Sequence, residues 1–132
     1  MEQVNKGDLQ IRVHVIEGRS LKGRDMNGMS DPICLVRVND QTKKTTCIKN
    51  TTSPFWDQTF FFQFQYLPEE MSKTKINLCV YDANTIFRNV VIGSFEFDAE
   101  LVHNQPNHEY FRKWVALIDH TVCLLSNKSN IL

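Results

Sequence analysis

Leu9-Gln10-Ile11-Arg12-Val13-His14-Val15 alternates apolar and polar residues without a break, the pattern of a strand with one face in a core and the other in water. The same alternation recurs outward from it. Cys34, Val36 and Val38 share one face of a run that opens at Asp31-Pro32, with Ile33, Leu35 and Arg37 on the other. Asn39-Asp40-Gln41 reads as a hairpin turn, and the chain is expected to return as a strand through Lys43 to Lys49. After the turn signal Ser53-Pro54, Phe60, Phe62 and Phe64 share a face and Phe61 lies opposite. Ile76, Leu78 and Val80 alternate next, followed by Ile92 to Asp98, Trp114 to Ile118 and a short run from Thr121 to Leu125. Between these runs, 18–30 and 82–91 read as loops, 98–110 as irregular, and Pro68 to Lys75 as a polar connection with room for one helical turn. Short strands with turns between them and hardly any helix predict an all-β fold, an antiparallel sandwich of about eight strands. The expected domain covers 7–125, with tails at 1–6 and 126–132.

A chain of 132 residues can build its core without a metal or disulfide. Hydrophobic residues make up 42% and charged residues 23%, which excludes collagen, coiled coil and a disordered tail. Fifteen basic side chains offset fifteen acidic ones, so any attraction to an anionic partner has to come from a local patch. Nucleic-acid binding would want a larger basic excess and exposed aromatics, and the phenylalanines here alternate like a core; no nucleic acid is expected. Cys34, Cys47, Cys79 and Cys123 are far apart and read as core thiols of a reducing compartment. Met1 to Asp8 carries no apolar segment of a signal peptide, and no apolar run approaches the roughly twenty residues that cross a bilayer. There is no Walker loop, no HExxH and no G-x-S-x-G elbow. His103 and His108 sit in a polar loop without partners at zinc-ligand spacing. A small hydrolase has no coherent nucleophile and base, so the chain reads as non-enzymatic.

The carboxylates are more informative. Asp25 and Asp31 bracket Met26-Asn27-Gly28-Met29-Ser30 in the loop joining the first two strands, and Asp82 ends a later strand with Asn84 close behind. If strands one and six lie close in the sandwich, the oxygens converge at one rim. Calcium suits such a site because it accepts about six to eight oxygens in flexible geometry. An EF-hand is excluded by the glycine spacing and by Val36 where its last acidic ligand would fall. The alternative is structural, with Asp31 starting a turn before Pro32 and Asp82 closing a strand.

Leu21-Lys-Gly-Arg-Asp-Met-Asn-Gly-Met-Ser-Asp-Pro32 resembles the first calcium-binding loop of C2 domains, the phospholipid-binding β-sandwich modules. Asn50-Thr-Thr-Ser-Pro-Phe-Trp-Asp-Gln-Thr-Phe60 is similar to the family's Asn-Pro-aromatic-Asn-Glu-Thr-Phe stretch. Val80-Tyr-Asp-Ala-Asn-Thr-Ile-Phe-Arg-Asn-Val-Val-Ile-Gly93 resembles its third loop. Glu17-Gly18-Arg19 and His108-Glu-Tyr-Phe-Arg-Lys-Trp114 narrow the likeness to the C2 domains of ferlins, large tail-anchored proteins of vesicle fusion and membrane repair. The resemblance implies a C2 sandwich of the second permutation (type II), with its last strand drawn from the C-terminus. It also implies a place on the cytoplasmic face of plasma or vesicle membranes, within a larger membrane-anchored protein.

The resemblance further implies calcium ligands at Asp25, Asp31 and Asp82. At the next acidic position this chain has Asn84, and at the last Val90, which has no ligand oxygen. Fewer anions reduce both the mutual repulsion and the attraction for Ca2+. One ion remains feasible, in the weak range of ~10⁻⁴–10⁻³ M. Met26 and Met29 in loop one, and Ile86 and Phe87 in loop three, are apolar tips suited to membrane insertion, with Arg88 beside them for a lipid phosphate. Folding back on the sandwich, or pairing with a protein partner, is the other use of those tips. In similar domains the surface of Arg37, Lys43 and Lys44 meets phosphoinositide headgroups, although alternation puts Lys43 and Lys44 on opposite faces. The expected partner is an anionic membrane containing phosphatidylserine. The rival is a calcium-independent protein-interaction module on the same fold.

Overall fold

The computed structural model describes residues 7–21, 29–66, 68–83, 90–117 and 122–131. Within them run β1 (Gly7–Arg19), β2 (Pro32–Val38), β3 (Gln41–Lys44), β4 (Phe55–Tyr66), β5 (Lys75–Asp82), β6 (Val90–Asp98), β7 (Glu109–Ala116) and β8 (Val122–Ile131). They form two four-stranded sheets, ordered β4-β1-β8-β7 and β3-β2-β5-β6, and every neighbouring pair is antiparallel. The alternating residues quoted above fill the space between the sheets. Leu9, Ile11, Val13 and Val15 from β1 meet Cys34, Val36 and Val38 from β2 and Ile76, Leu78 and Val80 from β5, all of them buried. Phe62 is fully buried among them, Phe60 and Phe64 pack partly buried against the cluster, and Phe61 faces out.

A bulge near the end of β1 shapes the rim from which loop one departs. The pairing of β1 with both neighbours shifts between Val15 and Glu17, and the extra residue lets Ile16 be buried directly after Val15. Gly18 then passes beneath Leu21, where an added Cβ would meet the leucine side chain at 3.3 Å. Leu21 can therefore close the core at the point where loop one begins.

Three stretches differ from the sequence expectation. β3 ends at Lys44 rather than continuing to Lys49, because the Cys34 amide donates to the buried Thr45 Oγ1 at 2.9 Å; a side-chain hydroxyl there takes the place of a ladder carbonyl. Residues 98–110 are not wholly irregular. A five-residue helix α1 (Ala99–His103) buries Ala99 and Val102, followed by a 3-10 turn at Pro106–His108. The connection at Pro68–Lys73 is a 3-10 helix, as the room left there for one helical turn allows, and is not among these differences. The largest difference is at the C-terminus. Residues 126–131, expected as a tail, belong to β8, which pairs with β1 from Leu9↔Ile131 to Arg19↔Val122 and with β7 on its other side. Its pairing rests on backbone groups, which polar residues supply as well as apolar ones.

Candidate functional site

β2 begins where β5 ends, and Pro32 pairs with Asp82. That register brings Asp31 and Asp82 together at one rim. The Asp31 amide donates to Asp82 Oδ1 at 3.0 Å, and the Ala83 amide returns a bond to the Asp31 carbonyl at 3.0 Å. Asp82 is fully buried, whereas Asp31 is partly open. A buried carboxylate needs such hydrogen bonding to offset the loss of water.

The segment before β4 braces this pair. The Asn50 amide donates to Asp31 Oδ1 at 2.7 Å, with Asn50 in the left-handed region at φ 57°, which asparagine tolerates better than most residues. The Thr51 amide donates to the Ser30 carbonyl at 2.8 Å, the Leu21 amide to the Thr52 carbonyl at 2.8 Å, and the Gly18 amide to the Pro54 carbonyl at 2.9 Å. Behind them the buried Trp56 indole donates to the Pro32 carbonyl at 3.2 Å. The Asn50–Trp56 stretch that carries part of the family likeness is thus the scaffold that holds both ends of loop one. Spacing alone does not place Asn50 at the site; an asparagine between two apolar runs is its only signal.

Cys47 is a second member that spacing does not reveal. Its thiol lies 3.6 Å from the Asp31 carbonyl. Burial pushes the thiol pKa up, the Asp31 carboxylate adds to that, Lys49 opposes it and Asp82 adds a smaller push. The rim is therefore a place where negative charge is felt.

Of the residues expected to bind metal or membrane, Asp25, Met26, Asn84, Ile86, Phe87 and Arg88 lie outside the described residues. Met29 is described and exposed. Among the described residues, no group of three or more His, Cys, Asp or Glu side chains gathers to hold a metal. The two carboxylates Asp31 and Asp82 by themselves fall short of the oxygens that calcium takes.

The basic surface divides as alternation requires. Arg37 pairs with Thr42 and Lys44 with Leu35, and both cations are exposed. Lys43 turns the other way. Its Nζ donates to the Phe61 carbonyl of β4 at 2.6 Å and lies 5.3 Å from the Phe62 ring centroid. His103 and His108 do come together, their rings stacked with centroids 4.1 Å apart, well away from the carboxylate rim. Burial, then His108, lowers the His103 pKa, with Glu100 opposing.

Comparison with known proteins agrees with this geometry. The family model described as C2 domain matches residues 9–117. Human myoferlin is 37% identical over 112 residues, covering 85% of this chain and 5% of that protein. Mouse Fer-1-like protein 4 is 30% identical over 113 residues, covering 85% of this chain and 6% of that protein. The chain thus spans only about a twentieth of these curated relatives. Among solved structures, the calcium-bound pair of C2 domains from extended-synaptotagmin 2 superposes with a TM-score of 0.77 at 24% identity, over 97% of this chain and 47% of that one. With the carboxylate rim, the two sheets and the ferlin relatives in agreement, this chain belongs to the C2 domain family, on its ferlin branch.

Proposed function

We propose that this C2 domain is a non-enzymatic module that docks on anionic phospholipid through the rim of loops one and three, with weak help from calcium. The observation that carries the reading is the meeting of Asp31 and Asp82 at the paired ends of β2 and β5. Asp25 and the Asn84 side-chain carbonyl would complete the set, together with backbone carbonyls, water and lipid phosphate. The ion would bridge the rim to the phosphate, neutralising charge that otherwise opposes an anionic surface. Val90, opposite Asp82 in the β5–β6 pairing, supplies no side-chain oxygen, so the proposal is for one ion. A C2 structure sharing this fold is of a calcium-bound protein, in keeping with that role for the rim.

The apolar tips Met26, Met29, Ile86 and Phe87 would anchor the bound state, each gaining at most ~1.5–3 kcal/mol on full burial. Arg88 would meet a phosphate, and Arg37 with Lys44 would give a minor headgroup contact. The setting that fits is the cytoplasmic face of a plasma or vesicle membrane, within a longer ferlin-like protein of membrane fusion or repair.

The test compares wild type, Phe87→Asp and Asp25→Asn on phosphatidylserine vesicles. Phe87→Asp is expected to abolish the calcium-dependent fraction of binding and Asp25→Asn to raise the calcium needed. Unchanged binding in both variants would contradict rim docking and assign the vesicle contact to another face, whereas no binding by wild type with or without calcium would move the reading to a calcium-independent protein partner, which the Asn84 and Val90 positions favour.

A further inference from the structure

β7 is the edge strand of its sheet, and a bulge bends its middle. The pairing with β8 shifts between Tyr110 and Lys113, and Arg112 sits at φ 47°, a left-handed conformation that costs a non-glycine residue roughly 1–2 kcal/mol. The consequence is exposure. Phe111, Arg112, Lys113 and Trp114 are exposed in succession, whereas a regular strand would turn alternate residues inward. Phe111 is 62% exposed and Trp114 44%. The Arg19 guanidinium lies 4.6 Å from the Trp114 ring centroid, adding a third cation to the ribbon.

Among the described residues, Glu109 lies 3.6 Å from Arg12 and Glu17 lies 3.4 Å from Arg19, so Arg19 comes to the ribbon with a carboxylate at its side. An aromatic-basic-basic-aromatic ribbon matches the chemistry of a bilayer interface, where an indole settles at headgroup level, a phenyl ring enters the acyl boundary and cations meet anionic lipid. The ribbon is also continuous with the rim. Ala116 and Arg19 both pair with Val122, at the end of β1 from which loop one departs. On the facing sheet Val91 is exposed at the start of β6, and Phe97 of β6 stacks on Tyr110 of β7 with centroids 6.4 Å apart. The β6/β7 edge therefore descends from the rim as one side wall.

We infer that the bulged ribbon Phe111–Trp114, with Arg19, is a calcium-independent contact for anionic phospholipid that lays the sandwich on its β6/β7 edge. It rests on the membrane-docking reading above but uses different residues, so the two can fail separately. The experiment measures vesicle binding in chelator, with equal parts phosphatidylserine and phosphatidylcholine, for wild type, Arg112→Gly/Lys113→Gln and Phe87→Asp. Glycine suits the left-handed backbone at 112, and Phe111→Ser gives an independent variant should the double one fold poorly. The double variant should bind about thirtyfold more weakly in chelator, two cations at ~1 kcal/mol each, whereas Phe87→Asp should lose binding chiefly in the calcium arm run alongside. In a Trp56→Phe background, Trp114 fluorescence should be quenched by brominated acyl chains.

Equal chelator-phase affinity in the ribbon variants, or a bound protein whose Trp114 is not quenched, would overturn the inference. So would a double variant that loses binding to polyglutamate but not to vesicles, which would assign the ribbon to an acidic protein. Loss in the ribbon variants with Phe87→Asp unaffected even in calcium would instead leave the ribbon standing and defeat rim insertion.

Discussion

Where β3 faces β4, Lys43 reaches across to the Phe61 carbonyl and Gln41 to the Gln63 carbonyl; where β6 faces β7, Arg112 and Lys113 turn outward beside Phe111 and Trp114. Both edges are basic in sequence, yet Lys43 is drawn onto a β4 carbonyl while Arg112 and Lys113 stand exposed side by side. Lys43 stands opposite Val36, in the core-facing row, so its stem runs along apolar surface and its head takes a carbonyl. The same bonds cap edge carbonyls that would otherwise invite another strand. At the β7 edge the bulge performs that protective role and turns the residues out as it does so. A basic residue thus counts toward a binding surface only after the strand's row and bulges have placed it.

That contrast can be tested from its strongest point downward. Phe62, fully buried beneath Lys43, makes the β3/β4 edge part of the core, so Phe62→Ala should cost about 3–5 kcal/mol in urea unfolding. Thr45→Val removes the acceptor for the buried Cys34 amide and should cost about 1–3 kcal/mol. Lys43→Met keeps the stem and loses one hydrogen bond, for about 1 kcal/mol of stability. Its vesicle affinity should stay within about twofold of wild type, since a single exposed cation would be worth more than that. A large affinity loss in Lys43→Met would erase the distinction between the edges.

The smallest effect concerns pH and lies in the connection from β6 to β7. Because His103 has a lowered pKa in the fold, the unfolded chain binds its proton more readily. Stability is therefore unaffected above the ordinary histidine pKa of about 6.5, falls as pH drops below it, and levels off beneath the folded value. Thermal unfolding of wild type and His103→Gln between neutral and mildly acidic pH checks this, with a flatter profile expected for the variant.

Much of the sandwich was legible because its core-facing rows alternate: Leu9 to Val15, Cys34 to Val38 and Ile76 to Val80 are buried as their spacing predicts. β8 was not legible beyond Leu125, because Ser126-Asn127-Lys128-Ser129-Asn130 offers no apolar face although its backbone pairs on both sides. Helix α1 escaped notice because five residues with two buried side chains leave no periodic signal. At the rim, the sequence made convergence depend on strands one and six lying close, whereas Asp31 and Asp82 come together through the register of β2 with β5. Asn50 joins the rim through its backbone amide and Cys47 through its thiol, contacts that spacing does not encode, and the outward turn of Arg112 and Lys113 depends on a bulge with no glycine to mark it.

Membrane docking is tested most directly by co-sedimentation with phosphatidylserine vesicles, in millimolar calcium and in chelator, at near-physiological salt. The expected result is partial pelleting in chelator, carried by the β7 edge, and fuller pelleting when calcium joins the Asp31–Asp82 rim. Protein that stays in the supernatant under both conditions would contradict docking on phospholipid altogether.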